Sequence, residues 1–256
     1  MSAGGAAHGT ARPGGATPAR PAFYALRGGG WRDLVTLLHP PYTAWHLSYV
    51  ALGAAAASHF SLTRLWWALG AFLLAVGVAA HALDELHGRP LRTRLSDRTL
   101  IVLATVGLGG AVAIGIAGAA TVSATLIPFV AVGASLVLAY DLELLGGRLH
   151  GLWTFALGWG GFPALTGFWV CALRFEWSGL LVAAACTLLS VVQRRLSMPV
   201  RELRRRTLEV TGEQRLADGR VVELSVARLL APLEGALRAT WFALVLLAVG
   251  MVVLRA

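Results

Sequence analysis

Asp84 and Glu85 follow a nineteen-residue uncharged run, Leu65 to Leu83, and lie in HALDELHGRPLRTR at 81–94, which packs two acids, two histidines and three arginines into fourteen positions. Ionisable groups at membrane depth are costly and commonly functional. The C-terminal end of a helix is also the unfavourable end for carboxylates, because its dipole is negative there. Arginines or a bound cation must therefore compensate Asp84 and Glu85. His81, Asp84 and Glu85 share one helical face by their three- and four-residue spacing, so they can hold one divalent ion, with His87 nearby. Mixed histidine and carboxylate ligands suit manganese, iron or zinc as well as magnesium. The alternative is an ion-pair network with Arg89, Arg92 and Arg94 that seals the end of a helix bundle.

The elements that position these residues are membrane spans. A hydrophobic fraction of 57% against 14% charged residues is too apolar for an ordinary soluble domain. Uncharged stretches at 34–63, 65–83, 99–140, 149–173, 177–193 and 239–254 are mostly of membrane length. The third of these is long enough for two spans and should fold back near Gly118–Ser123, which makes seven spans. All 22 basic residues are arginine and the net charge is +9. Nucleic-acid binding would need them on one soluble face, but they fall between spans. With the N-terminus inside, the cytoplasmic side collects Arg12, Arg20, Arg27 and Arg32 and the loops after spans two, four and six. Only Arg64, Arg174 and Arg255 fall opposite, which places the C-terminus outside by the positive-inside rule. The lipid bilayer is thus one partner, and no nucleic acid is expected.

Residues 1–30 are rich in Gly, Ala, Pro and Arg and read as a disordered cytoplasmic tail, without a secretory signal. Residues 31–256 form the transmembrane domain. Trp31–Leu38 reads as a short interfacial helix, and Gly158–Pro163 as an interruption of the fifth span. Residues 207–226 read as a small cytoplasmic β-hairpin around Asp218-Gly219. Cys171 and Cys186 lie within spans and read as small core residues.

The order of these signals resembles the UbiA superfamily of intramembrane prenyltransferases. An acidic motif ends span two, Arg-Pro-Leu follows, Ser-Asp-Arg opens span three, Tyr140 ends span four, and a Gly, Pro and Gly pattern marks span five. The resemblance covers roughly His39 to Gly167. It implies an all-α polytopic bundle with a cytoplasmic-facing site, an isoprenyl diphosphate donor, magnesium on Asp84, Glu85 and His81, and an apolar groove for the prenyl tail. Asp84 and Glu85 would carry catalysis. The sequence departs from the family at several points. His81 stands where an aspartate is expected, no carboxylate follows span six before Glu202, and Asp141 and Glu143 replace a basic pair after Tyr140. The family has nine spans.

Several residues have two readings. Arg89, Arg194 and Arg195 can clamp a diphosphate, or belong to a basic surface on anionic lipid. Tyr140 and Asp141 can support the same site, or serve as a belt tyrosine and an arginine partner. The leading expectation is a divergent prenyltransferase. The alternatives are a non-catalytic lipid- or quinone-binding protein of the same fold, and a small cation- or proton-coupled transporter.

Overall fold

The computed structural model describes residues 20–144 and 146–256. Among the described residues eight helices follow one another: α1 (Trp31–Leu37), α2 (Pro40–Ala56), α3 (Leu62–Leu86), α4 (Asp97–Thr121), α5 (Ala124–Asp141), α6 (Leu152–Ala172), α7 (Trp177–Arg205) and α8 (Val226–Arg255). Six of them, α3 to α8, are long and apolar enough to cross a membrane. The chain is an all-α, multi-pass membrane bundle.

Helix starts follow local chemistry. Ser61, Ser96 and Ser225 cap α3, α4 and α8, each accepting a hydrogen bond from the amide three residues on. Proline opens α2, where a missing amide costs nothing. The fold-back expected near Gly118–Ser123 is a 3₁₀ turn capped by Ser123 at the start of α5.

The 17-residue helix α2 lies at the centre, packed against α3, α6, α7 and α8, with most of its residues buried. Two glycines permit the closest crossing. A Cβ on Gly53 would stand 1.8 Å from the Ala164 carbonyl oxygen, and one on Gly167 would stand 2.0 Å from that of Val50. With lipid tails as apolar as the side chains, such small-residue contacts are what hold spanning helices together. Cys171 and Cys186 are buried in this core as free thiols.

Three expectations are revised. Gly158–Pro163 does not interrupt α6; the helix widens to a π turn over Leu157–Gly161 and continues, because Pro163 needs no amide partner at the new turn. A longer π segment, Leu73–Ala80, widens α3. Helix α7 does not end with its apolar stretch but runs through Pro199 to Arg205. There Leu196, Val200 and Leu203 pack on Leu230, Leu233 and Leu237 of α8, and Arg204 pairs with Glu234. Finally, residues 20–30 are not a free tail. Ala22 and Ala25 bury against Leu91, and the Leu26 amide donates to Thr36 Oγ1 at 3.0 Å. The remainder of the expected tail, 1–19, lies outside the described residues.

The two ends of the bundle differ. One carries Arg64, Arg174, Glu176 and Arg255; there the Arg255 guanidinium donates to the Ala57 carbonyl at 2.6 Å, tying α8 to the end of α2. The other, arginine-rich end carries residues 20–38, the loop 88–96 and the hairpin of Glu213–Arg215 with Val221–Glu223, in register Gln214 to Val222.

Candidate functional site

At the arginine-rich end a polar recess of about 80 Å³ opens between the ends of α3 and α7, the start of α2 and the strap 20–30. Asp84, Arg201, Arg205, Tyr24, Tyr42 and His39 line it. Asp84 and Arg201 are exposed into it, and Arg205 is half-buried. The rings of His39 and His81 stack at 4.2 Å. Burial, then the neighbouring His81, hold the His39 imidazole well below its usual pKa, so it stays neutral. The fixed charge of the recess is then two guanidiniums against one carboxylate, a surplus suited to an anion.

The sequence-predicted residues divide. Asp84 faces the recess together with Arg201 and Arg205. Glu85, one residue on, has no exposed surface. Its Oε2 accepts from the Leu91 amide at 2.9 Å, and its Oε1 from the Thr93 amide at 2.8 Å and the Thr93 hydroxyl at 2.9 Å. Glu85 therefore anchors the loop 88–96. That loop holds Arg89 and Arg92 at φ 53° and 56°, a left-handed backbone that only strong local bonding sustains in non-glycine residues. His81 Nδ1–H donates to the Gly77 carbonyl at 3.2 Å while its ring covers His39. Thus His81, Asp84 and Glu85 do not converge on one point. His87 is exposed beyond the last turn of α3. Arg89 is engaged in the loop itself, donating to the Leu95 carbonyl and pairing with Asp97.

A second group lies across from Asp84. Tyr140 stacks on His150 at 4.2 Å, and Arg194 donates to the Tyr140 hydroxyl at 2.8 Å and to the His150 carbonyl at 2.6 Å. Arg194 also sits 4.7 Å over the Phe155 ring. Asp141 Oδ2, His150 Nδ1 and Gln193 Oε1 are buried without a hydrogen-bond partner. Arg195 is exposed on α7.

Between these groups and the middle of the bundle stands Trp159, whose ring meets Tyr140 at 5.5 Å. His46 Nδ1–H donates to the Trp159 carbonyl at 2.7 Å, within the π turn. Beyond Trp159 lies an apolar cavity of about 140 Å³ among α3, α4, α5 and α6, lined by Val76, Leu108, Phe129, Val137 and Phe162 among others. Both π segments contribute to its wall.

No group of three or more His, Cys, Asp or Glu side chains able to hold a metal ion occurs among the described residues. Of the sequence-predicted ligands only Asp84 faces the recess, and Asp141, whose Oδ2 is buried without a partner, is a further carboxylate close enough to feel its charge.

Sequence reasoning weighs the segment Gln193–Arg206 as a diphosphate clamp without singling out Arg201 and Arg205, and does not reach Tyr24, Tyr42 or His39. The one available signal was the i, i+4 spacing of Arg201 and Arg205, hidden by treating the stretch after Gln193 as a loop. No family model, curated protein or solved structure matches the chain.

Proposed function

We propose that the protein is a UbiA-like intramembrane prenyltransferase with seven spans, α2 being the seventh, and with the arginine-rich end in the cytoplasm. The observation that carries this reading is the recess in which Asp84 faces Arg201 and Arg205, set at the same end of the bundle as Asp141 and Tyr140. In this reading the guanidiniums of Arg201 and Arg205 hold the diphosphate of an isoprenyl donor. The tail passes Trp159 into the apolar cavity. The C1–O bond breaks with its electron pair going to the departing diphosphate, the acceptor's nucleophilic atom bonds to C1, and the acceptor gives up a proton. Tyr140 and Arg194 keep the inner wall in place, and the apolar layer at Trp159 keeps water from the allylic cation. When bound with the substrate on Asp84 and Asp141, magnesium would supply charge neutralisation to the leaving group.

The internal role of Glu85 favours a second reading, in which the same fold binds an isoprenoid or quinone without catalysis. Thermal unfolding of the purified protein with geranylgeranyl diphosphate separates the two, since a ligand specific to the folded state raises Tm. A magnesium-dependent rise that is lost in Asp84→Asn supports the enzyme. A rise that needs no magnesium and persists in Asp84→Asn supports binding alone. No rise with or without magnesium contradicts the diphosphate site.

A further inference from the structure

The strap 20–30 forms one wall of the recess, and its fixings do not depend on a ligand. Arg205 Nε donates to the Pro21 carbonyl at 3.2 Å, and Arg204 donates to that of Arg20 at 3.3 Å. Arg238 lies 4.9 Å over the Phe23 ring. The Gly29 amide donates to Asp33 Oδ2 at 3.0 Å, and the same oxygen accepts from the Arg94 amide at 3.2 Å, so strap, α1 and loop 88–96 are bound together. This is a preset wall rather than a loose lid.

Tyr24 is the strap residue that reaches the charged groups. Its ring packs against His39 at 5.3 Å and Tyr42 at 5.9 Å, which aims the phenol into the recess with Asp84, Arg201 and Arg205. Burial pushes the Tyr24 phenol well above its usual pKa, so the hydroxyl stays an O–H donor at any physiological pH. A neutral donor beside two guanidiniums adds a hydrogen bond for an anion without adding charge.

We propose that the strap completes the ligand site, with the Tyr24 hydroxyl donating directly to the anionic phosphate head of the ligand. This rests on the head-group reading of the recess given above. It also gives the N-terminal segment a function in binding, since it covers part of Arg205 and the reduced exposure strengthens that guanidinium's hold on an anion.

The test is the affinity of the full chain in detergent for inorganic pyrophosphate, with Tyr24→Phe as the variant. Phenylalanine keeps the ring against His39 and Tyr42 and removes only the donor, so Tm without ligand should not change. Binding should weaken roughly tenfold, near the lower end for a hydrogen bond to a charged group. Trypsin cleavage after the exposed Arg27 of the unmodified protein should slow when pyrophosphate is added. Equal affinity of Tyr24→Phe and the unmodified chain would overturn the proposal, leaving the arginine site intact. Faster cleavage would also overturn it, because the strap would then compete with the anion. Absence of any pyrophosphate binding by the unmodified protein overturns the head-group reading and this inference together.

Discussion

Replacing Glu85 by glutamine separates an anchoring carboxylate from a reacting one. Glu85 has no exposed surface and accepts three hydrogen bonds, from the Leu91 amide, the Thr93 amide and the Thr93 hydroxyl. Glutamine keeps the shape but turns one acceptor oxygen into an NH₂ that faces a backbone donor. One charge-assisted bond is lost and one buried donor is left unmatched, which costs about 3 kcal/mol. Release of the strained backbone at Arg89 and Arg92, which this carboxylate holds in place, offsets only part of that cost. At about 2–4 °C per kcal/mol for a chain of this size, Tm should fall by roughly 6–12 °C. The assay is thermal unfolding in detergent, run beside geranylgeranyl diphosphate binding measured below the transition. Glu85→Gln should lose stability and keep affinity in the folded fraction, whereas Asp84→Asn should do the reverse. A Glu85→Gln protein that melts within about 2 °C of the unmodified one and no longer binds would place Glu85 in contact with ligand and refute the reasoning.

Other consequences follow from the packing. Gly167→Leu should destabilise the bundle by about 3 kcal/mol or prevent folding, because its Cβ would stand 2.0 Å from the Val50 carbonyl oxygen. Gly235→Leu, with no neighbour within 4 Å, is the neutral control in the same unfolding assay. Glu234→Gln should cost about 3 kcal/mol in thermal unfolding, since Glu234 is 6% exposed and its loss strands Arg204 between α7 and α8. At the opposite end, hydrogen bonds from Ser58 and then Arg174 hold the Glu176 carboxyl at about 2, below its ordinary 4.5. A depressed acid stabilises above its unfolded pKa and loses that contribution as pH falls through the folded one. Hydrogen exchange at the Ser58 amide, corrected for intrinsic rate, should therefore lose protection between about pH 4.5 and pH 2. Unchanged protection across that window would contradict the clasp.

The spanning helices were legible because uncharged length and arginine spacing report directly on the bilayer. The site was legible only in part. Adjacent carboxylates at 84 and 85 look equivalent in sequence, yet one helical step of about 100° sends Asp84 to the recess and Glu85 to its loop. Charge-free length ends the sixth span at Gln193, which makes Arg201 and Arg205 look like loop charges. An amphipathic helix continuing past the membrane on leucines packed against α8 leaves no such boundary. The strap is not legible in sequence because Ala22 and Ala25 carry little hydrophobic signal themselves, and their burial depends on Leu91, nearly seventy residues away. The widened turn at Leu157–Gly161 was marked by its glycines as irregular, but its type depends on the fit of Gly160 against Cys186 and Ser190.

The central claim is that the recess recognises a phosphate head rather than a hydrocarbon alone. Its most direct test compares the Kd of geranylgeranyl diphosphate with that of geranylgeraniol, for the unmodified chain and for Arg201→Gln, a change at an exposed recess residue. The account predicts that the diphosphate binds the more tightly, and that Arg201→Gln removes most of that difference while leaving the alcohol's affinity unchanged. Equal affinity for the two ligands in the unmodified chain would contradict it.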